Sequence, residues 1–185
     1  CTATRETIID TMYQLRITSV TVDSADCFER ADGSITINSI HPATAPTPIG
    51  YQFSNGSAIN PAASLLAGTY TYTVTDGVGC QATGTSTVLE PSKIVIVGKV
   101  RNATCNAVNG AADGSVKITY SGGTPPYATP EWSATPNKQF TDSAVSLPGG
   151  LHTVVVVDAK GCQEPQSFTI QQPAPLDVSI GRVKQ

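Results

Sequence analysis

A run of alternating threonines and apolar residues, closed by a glycine turn and a cysteine, constrains this chain more than any other stretch. In Gly68-Thr-Tyr-Thr-Tyr-Thr-Val-Thr-Asp-Gly-Val-Gly-Cys80, Tyr70, Tyr72 and Val74 fall on one side of an extended backbone and Thr69, Thr71, Thr73 and Thr75 on the other. That is the period-two pattern of a strand with one face in a core and one in water. Asp76-Gly77-Val78-Gly79 supplies residues that tolerate positive φ, so the chain reverses sharply and Cys80 enters a returning strand. The device recurs as Gly150-Leu-His-Thr-Val-Val-Val-Val-Asp-Ala-Lys-Gly-Cys162, with Asp158 matching Asp76 and Gly161 matching Gly79 at an offset of about 82 residues. The chain reads as a tandem repeat.

With 185 residues there is material for two small domains rather than one large one. Abundant Thr, Ser, Val and Ile, with frequent Gly and Pro, favour short strands over helices. A net charge of −3 removes the basic footprint a nucleic-acid binder needs to displace counterions from phosphates. No apolar run approaches the roughly 18 to 20 residues of a membrane-spanning helix, so no span is expected in this segment.

Five cysteines in small Gly- and Thr-rich repeats point to an oxidising compartment. The repeat register aligns Cys27 with Cys105 and Cys80 with Cys162, and leaves Cys1 as the counterpart of Cys80 from a preceding repeat, unpaired here. A lipid-bearing first residue is the alternative for Cys1. Because the same pair recurs at the same spacing, the expected bridges are Cys27–Cys80 and Cys105–Cys162, each closing a loop of more than fifty residues and contributing about 4 kcal/mol. Cys80–Cys105, across the junction, is the other possibility.

Punctuation sets the boundaries. Residues 1–14 read as the last strand of a preceding repeat, 15–91 as repeat one, 92–174 as repeat two and 175–185 as the first strand of a following repeat. Leu15 to Val22 alternates with a slip that predicts a bulge. Asp32-Gly33-Ser34 turns into Ile35-Thr-Ile-Asn38, and Asp113-Gly114-Ser115 repeats that turn before Val116, Ile118 and Tyr120. His41 to Pro48 carries too many prolines for a central strand. Glu90-Pro91-Ser92 separates the repeats. Six or seven short strands per repeat with one disulfide predict an all-β chain of tandem immunoglobulin-like β-sandwiches.

The candidate sites are few. No Ser-His-Asp or Cys-His arrangement is visible, so neither an enzyme nor a cofactor is expected. His41 lies beside a proline, and His152 replaces Tyr70 in the organising strand, where packing explains it. Asp26, Glu29 and Asp32 could offer oxygens to calcium, but repeat two keeps only Asp113 there, so turn capping and no metal site are expected. Trp132 with Tyr127 could stack on a sugar, yet a single Trp in an alternating strand reads as core.

Asp113-Gly-Ser115, Ser121-Gly-Gly-Thr-Pro-Pro-Tyr127, Trp132 and Val157-Asp-Ala-Lys-Gly-Cys162 together resemble the SprB repeat, found in very large surface proteins of gliding and related Bacteroidota. Repeat one departs from it, with Thr47-Pro-Ile-Gly-Tyr51 in place of Gly-Gly-Thr-Pro-Pro-Tyr and no Trp, but Ala67 to Asp76 fits closely. The resemblance implies an extracellular filament or stalk on a Gram-negative cell surface, exported by type 9 secretion and moved by the gliding machinery. Its partners would be neighbouring repeats and, through other regions, a surface polysaccharide or the substratum. Asp10-Thr-Met12, Asp23-Ser-Ala25 and Asp142-Ser-Ala144 resemble the O-glycosylation motif of Bacteroidota, which marks Thr11, Ser24 and Ser143 as acceptors. The competing expectation is an immunoglobulin-like module of a secreted protein that binds glycan or protein through loops such as His41 to Pro48 or Ser121 to Pro130.

Overall fold

A computed structural model describes residues 14–104, 112–133 and 138–174. The strand expected over residues 1–14, apart from Gln14, and the strand expected over residues 175–185 lie outside the described residues. Those described form twelve strands and no helix, in two units divided between Glu90 and Pro91. The first contains β1 (Arg16–Asp23), β2 (Gly33–His41), β3 (Gly50–Phe53), β4 (Ala62–Leu65), β5 (Gly68–Thr75) and β6 (Gln81–Val88). The second contains β7 (Val95–Arg101), β8 (Gly114–Ser121), β9 (Glu131–Trp132), β10 (Ser143–Leu147), β11 (Gly150–Val157) and β12 (Gln163–Ile170).

Each unit is two three-stranded antiparallel sheets. Their orders are β1-β2-β4 and β3-β5-β6 in unit 1, and β7-β8-β10 and β9-β11-β12 in unit 2. Lettered along the chain, this is A-B-E facing C-F-G, the arrangement of an immunoglobulin-like sandwich. The topology is the same in both units, as the sequence register demands. The slip read in Leu15 to Val22 is present: the β1–β2 register shifts on either side of Ser19, between Ile17 and Val20. His41 to Pro48 leaves β2 as a loop, as its prolines require.

Alternation fills the space between the sheets. Ile35 and Ile37 from β2 meet Phe53, Tyr72, Val74 and Val88, while Val116 and Ile118 from β8 meet Trp132, Val154, Val156 and Ile170. The two sheets approach closely at the Asp-Gly-Ser turns. A Cβ on Gly33 would sit 2.5 Å from a methyl of Val88, and one on Gly114 would sit 2.6 Å from the Leu147 carbonyl and 2.8 Å from Ile170. The glycine of this motif is therefore fixed by close packing between strands. Pro165 lies in β12 at the edge of its sheet, where its missing N–H costs no ladder bond.

In each unit the first and last strands run side by side, and both end at the same pole. The N–H of Ala25, just past β1, donates to the Leu89 carbonyl just past β6 at 2.8 Å; in unit 2, Ala103 donates to Gln171 at 3.0 Å. The hairpin that begins the last strand therefore lies at the opposite pole, where the chain enters. A strand of eight residues separates the poles by about 26 Å.

Candidate functional site

The two organising hairpins close in the same way. Asp76 accepts the N–H of Val78 at 3.0 Å and of Cys80 at 2.9 Å through Oδ1, and Asp158 accepts Lys160 and Cys162 at 2.9 Å each. Gly79 and Gly161 take φ of 92° and 79°, as the turn requires. Both carboxylates are 4% exposed. Burial by itself would raise the Asp158 carboxyl, but the N–H groups of Thr124, Cys162, Lys160 and Gly161 outweigh it and hold the group below its ordinary value. The Thr124 N–H donates to the second oxygen, Oδ2, at 2.8 Å, so this aspartate ties the hairpin to the loop that follows β8.

That loop contains Ser121-Gly-Gly-Thr-Pro-Pro-Tyr127, and its two glycines have a physical reason. Gly122 and Gly123 take φ of 84° and 61°. A Cβ on the first would lie 2.0 Å from the Lys93 carbonyl, and one on the second 2.7 Å from Asp158 Oδ2. The Gly123 N–H donates to Ser92 at 2.7 Å. The Tyr127 hydroxyl donates to the Gly122 carbonyl, and its ring meets Tyr120 edge to face at 4.9 Å. Gly-Gly-Thr-Pro-Pro-Tyr is thus a clamp that closes the incoming pole of unit 2.

The cysteines correct the expected pairing. Cys27 and Cys162 are each disulfide-bonded and Cys80 is a free thiol, so the Cys27–Cys80 bridge is not made. Topology explains why. Cys27 follows Ala25 at the pole where the unit 1 chain leaves, whereas Cys80 precedes β6 at the pole where it enters. About 26 Å of strand lies between them, against the 4.4–6.8 Å between Cα atoms that a disulfide spans. Cys1 and Cys105, and with Cys105 the expected Cys105–Cys162 bridge, lie outside the described residues.

The remaining candidates resolve into structure. Trp132 is fully buried, donates its indole N–H to the Thr141 carbonyl at 2.8 Å and packs against Phe168, so no face is open to a sugar. His152 is buried and its Nε2 lies 2.9 Å from the Pro148 carbonyl. Tyr70, its counterpart, donates its hydroxyl to the Leu66 carbonyl at 3.0 Å. Both hold the corner before the hairpin strand, four residues upstream, in the manner of a tyrosine corner. Asp32 caps the loop by accepting the Asp26 N–H at 3.0 Å and pairs with Arg30 at 3.1 Å, while the Glu29 N–H donates to Glu90 at 2.6 Å. In unit 2, Asp113 accepts the Thr104 N–H at 2.9 Å. Among the described residues no group of His, Cys, Asp and Glu converges as a metal site requires. His41 ends β2 and begins the proline loop, beside a groove of about 330 Å³ that includes Ile40, Ala43, Ile49 and Tyr51.

Of the three glycan acceptors, Thr11 lies outside the described residues. Ser24 is exposed between Asp23, the end of β1, and buried Ala25. Ser143 is half-buried as the first residue of edge strand β10, and its neighbour Asp142 accepts the Tyr120 hydroxyl at 3.2 Å. That carboxylate, after burial, also raises the Tyr120 phenol above its ordinary value.

Residues 98–128 match the SprB repeat family. Over this stretch the chain is similar to a SprB repeat. The match runs from β7 through the Asp113-Gly-Ser turn and β8 to Tyr127, and so takes in both devices for which packing requires glycine. A comparison with curated proteins finds no match. Among solved structures, "Structure of amphioxus IgVJ-C2 molecule" is 12% identical over 86% of this chain and 97% of that one, with a TM-score of 0.34. The fold assignment rests on strand order, not on that likeness.

Proposed function

We propose that this chain is a structural segment of a long extracellular adhesin filament or stalk on a bacterial surface, of the kind that serves adhesion and gliding. The SprB repeat carries this reading. The fold supports it, because the chain enters each unit at the hairpin pole and leaves at the opposite pole. A pull along the chain then loads a terminal strand along its length, so the ladder bonds of β1 to β2 and of β5 to β6 resist together. The disulfide-bonded state of Cys27 and Cys162 fits an oxidising exterior.

In the same reading the protein is exported by type 9 secretion, moved by the gliding machinery and glycosylated on Thr11, Ser24 and Ser143. Antibodies against this chain should label intact, unpermeabilised cells of the source bacterium, and signal only after lysis would contradict the placement. Intact-mass spectra of native material should carry sugar mass beyond the bare peptide. The groove beside the proline loop of unit 1 favours a second reading, a glycan-binding module. Saturable binding of the chain to a glycan array, lost in a Tyr51→Ala variant, would select it over the stalk.

A further inference from the structure

No lysine precedes Lys93, so a net charge of −3 conceals a basic region in unit 2. There Lys93 pairs with Glu164 at 3.2 Å, and Lys138 pairs with Glu131. Lys99, Arg101 and Lys117 are all exposed and enter no ion pair among the described residues. Alternation puts the three on the outer face of the β7-β8-β10 sheet, because Ile96, Val116 and Ile118 pack toward the core. Lys99 and Lys117 are direct cross-strand partners, and Arg101 stands two residues further along β7, opposite Ser115. The cations therefore lie about 5 Å apart across the strands and about 7 Å apart along one. Like charges placed directly opposite one another destabilise a sheet. The carboxylates that flank β8 and β10 do not relieve them: Asp113 accepts the Thr104 N–H at 2.9 Å, and Asp142 accepts the Tyr120 hydroxyl at 3.2 Å.

We propose that this face of unit 2 binds an acidic polysaccharide, a polymer of uronic acids whose carboxylates pair with Lys99, Lys117 and Arg101. Three cations without partners supply the charge complementarity, and the Arg101 guanidinium presents a fork that matches a carboxylate. Between and beside them stand hydroxyls: Ser115 opposite Arg101, Thr119 next along β8, and Ser143 opposite Lys117 on β10. Separated charges with hydroxyls among them suit a polymer that carries one carboxylate per sugar, with its own hydroxyls between. Nucleic acid fits less well. The one aromatic residue in β7, β8 and β10 is Tyr120, which packs with Tyr127 against the core, so no outward ring is offered for a base to stack on. The site is separate from the groove of unit 1, and it stands independently of the adhesin reading.

The test is calorimetric titration of the full 185-residue chain with polygalacturonate. Saturable binding is expected, weakening about tenfold between about 50 and 150 mM NaCl as roughly three counterions are released. The double variant Lys99→Gln, Lys117→Gln should bind about tenfold or more weakly. Lys93→Gln with Lys138→Gln removes the same formal charge from ion-paired positions and should bind like the unaltered chain. Removing Lys99 and Lys117 also relieves a like-charge pair, so the thermal midpoint of that variant should not fall, and its lost binding is not lost folding. No saturation, an equal loss in both double variants, or tighter binding to a DNA duplex than to polygalacturonate overturns the proposal. Surface labelling of cells reads a different property, so failure of one does not imply failure of the other.

Discussion

Asp158 shows how much a single side chain organises. Its carboxylate is buried yet held below its ordinary value of 3.8 by four backbone N–H groups. A group depressed in the folded state stabilises it above the unfolded value, and the contribution is lost as pH falls through the folded value. Unit 2 should therefore lose stability in acid, below about pH 4, and Asp158→Asn, which keeps an acceptor without a charge, should flatten that dependence in a pH series of thermal melts. Asp158→Ala strands buried donors and should cost about 3 kcal/mol at neutral pH, read from urea denaturation. Gly114→Ala places a methyl against the Leu147 carbonyl and Ile170 and should cost about 1–3 kcal/mol, whereas Gly161→Ala meets open space and is strained only by its φ. The glycine turns and the Asp-X-X-Gly-Cys offset were readable as residue types. Thr124 as a donor to Asp158 was not, because the two are brought together only when the clamp closes on the hairpin.

Among the elements, the hairpin strands were the most legible. Their alternation is long, and Tyr72, Val74, Val154 and Val156 all reach the core as the pattern requires. Short strands were less so: β9 is two residues long and is set by pairing with β11 rather than by any period of its own. The Tyr70 and His152 corner was read only as packing; the shared bond to a carbonyl four residues back becomes visible once both side chains are placed. His152→Tyr should therefore be tolerated, and His152→Ala should destabilise unit 2 by about 1–3 kcal/mol in the same denaturation assay. Trp132→Ala opens a cavity beside Phe168 and should cost about 3–5 kcal/mol. That Cys27 and Cys80 do not pair was not legible from equal spacing, because spacing along a chain does not tell which pole of a sandwich a residue occupies. Strand direction does.

At the scale of the molecule, the repeat offset signalled two units, and they share one strand order because the same pattern of alternation and turns is written twice. What a stalk requires is that tension pass through it without unravelling each sandwich. In each unit the chain enters at the hairpin pole and leaves at the opposite one, so the ladder bonds of the terminal strands resist a pull together. Stretching single, reduced 185-residue chains by their ends measures this directly. The chain should unfold in two abrupt steps, one per unit, each releasing about 300 Å. Gradual extension without steps, or a single release spanning both units, would contradict the account.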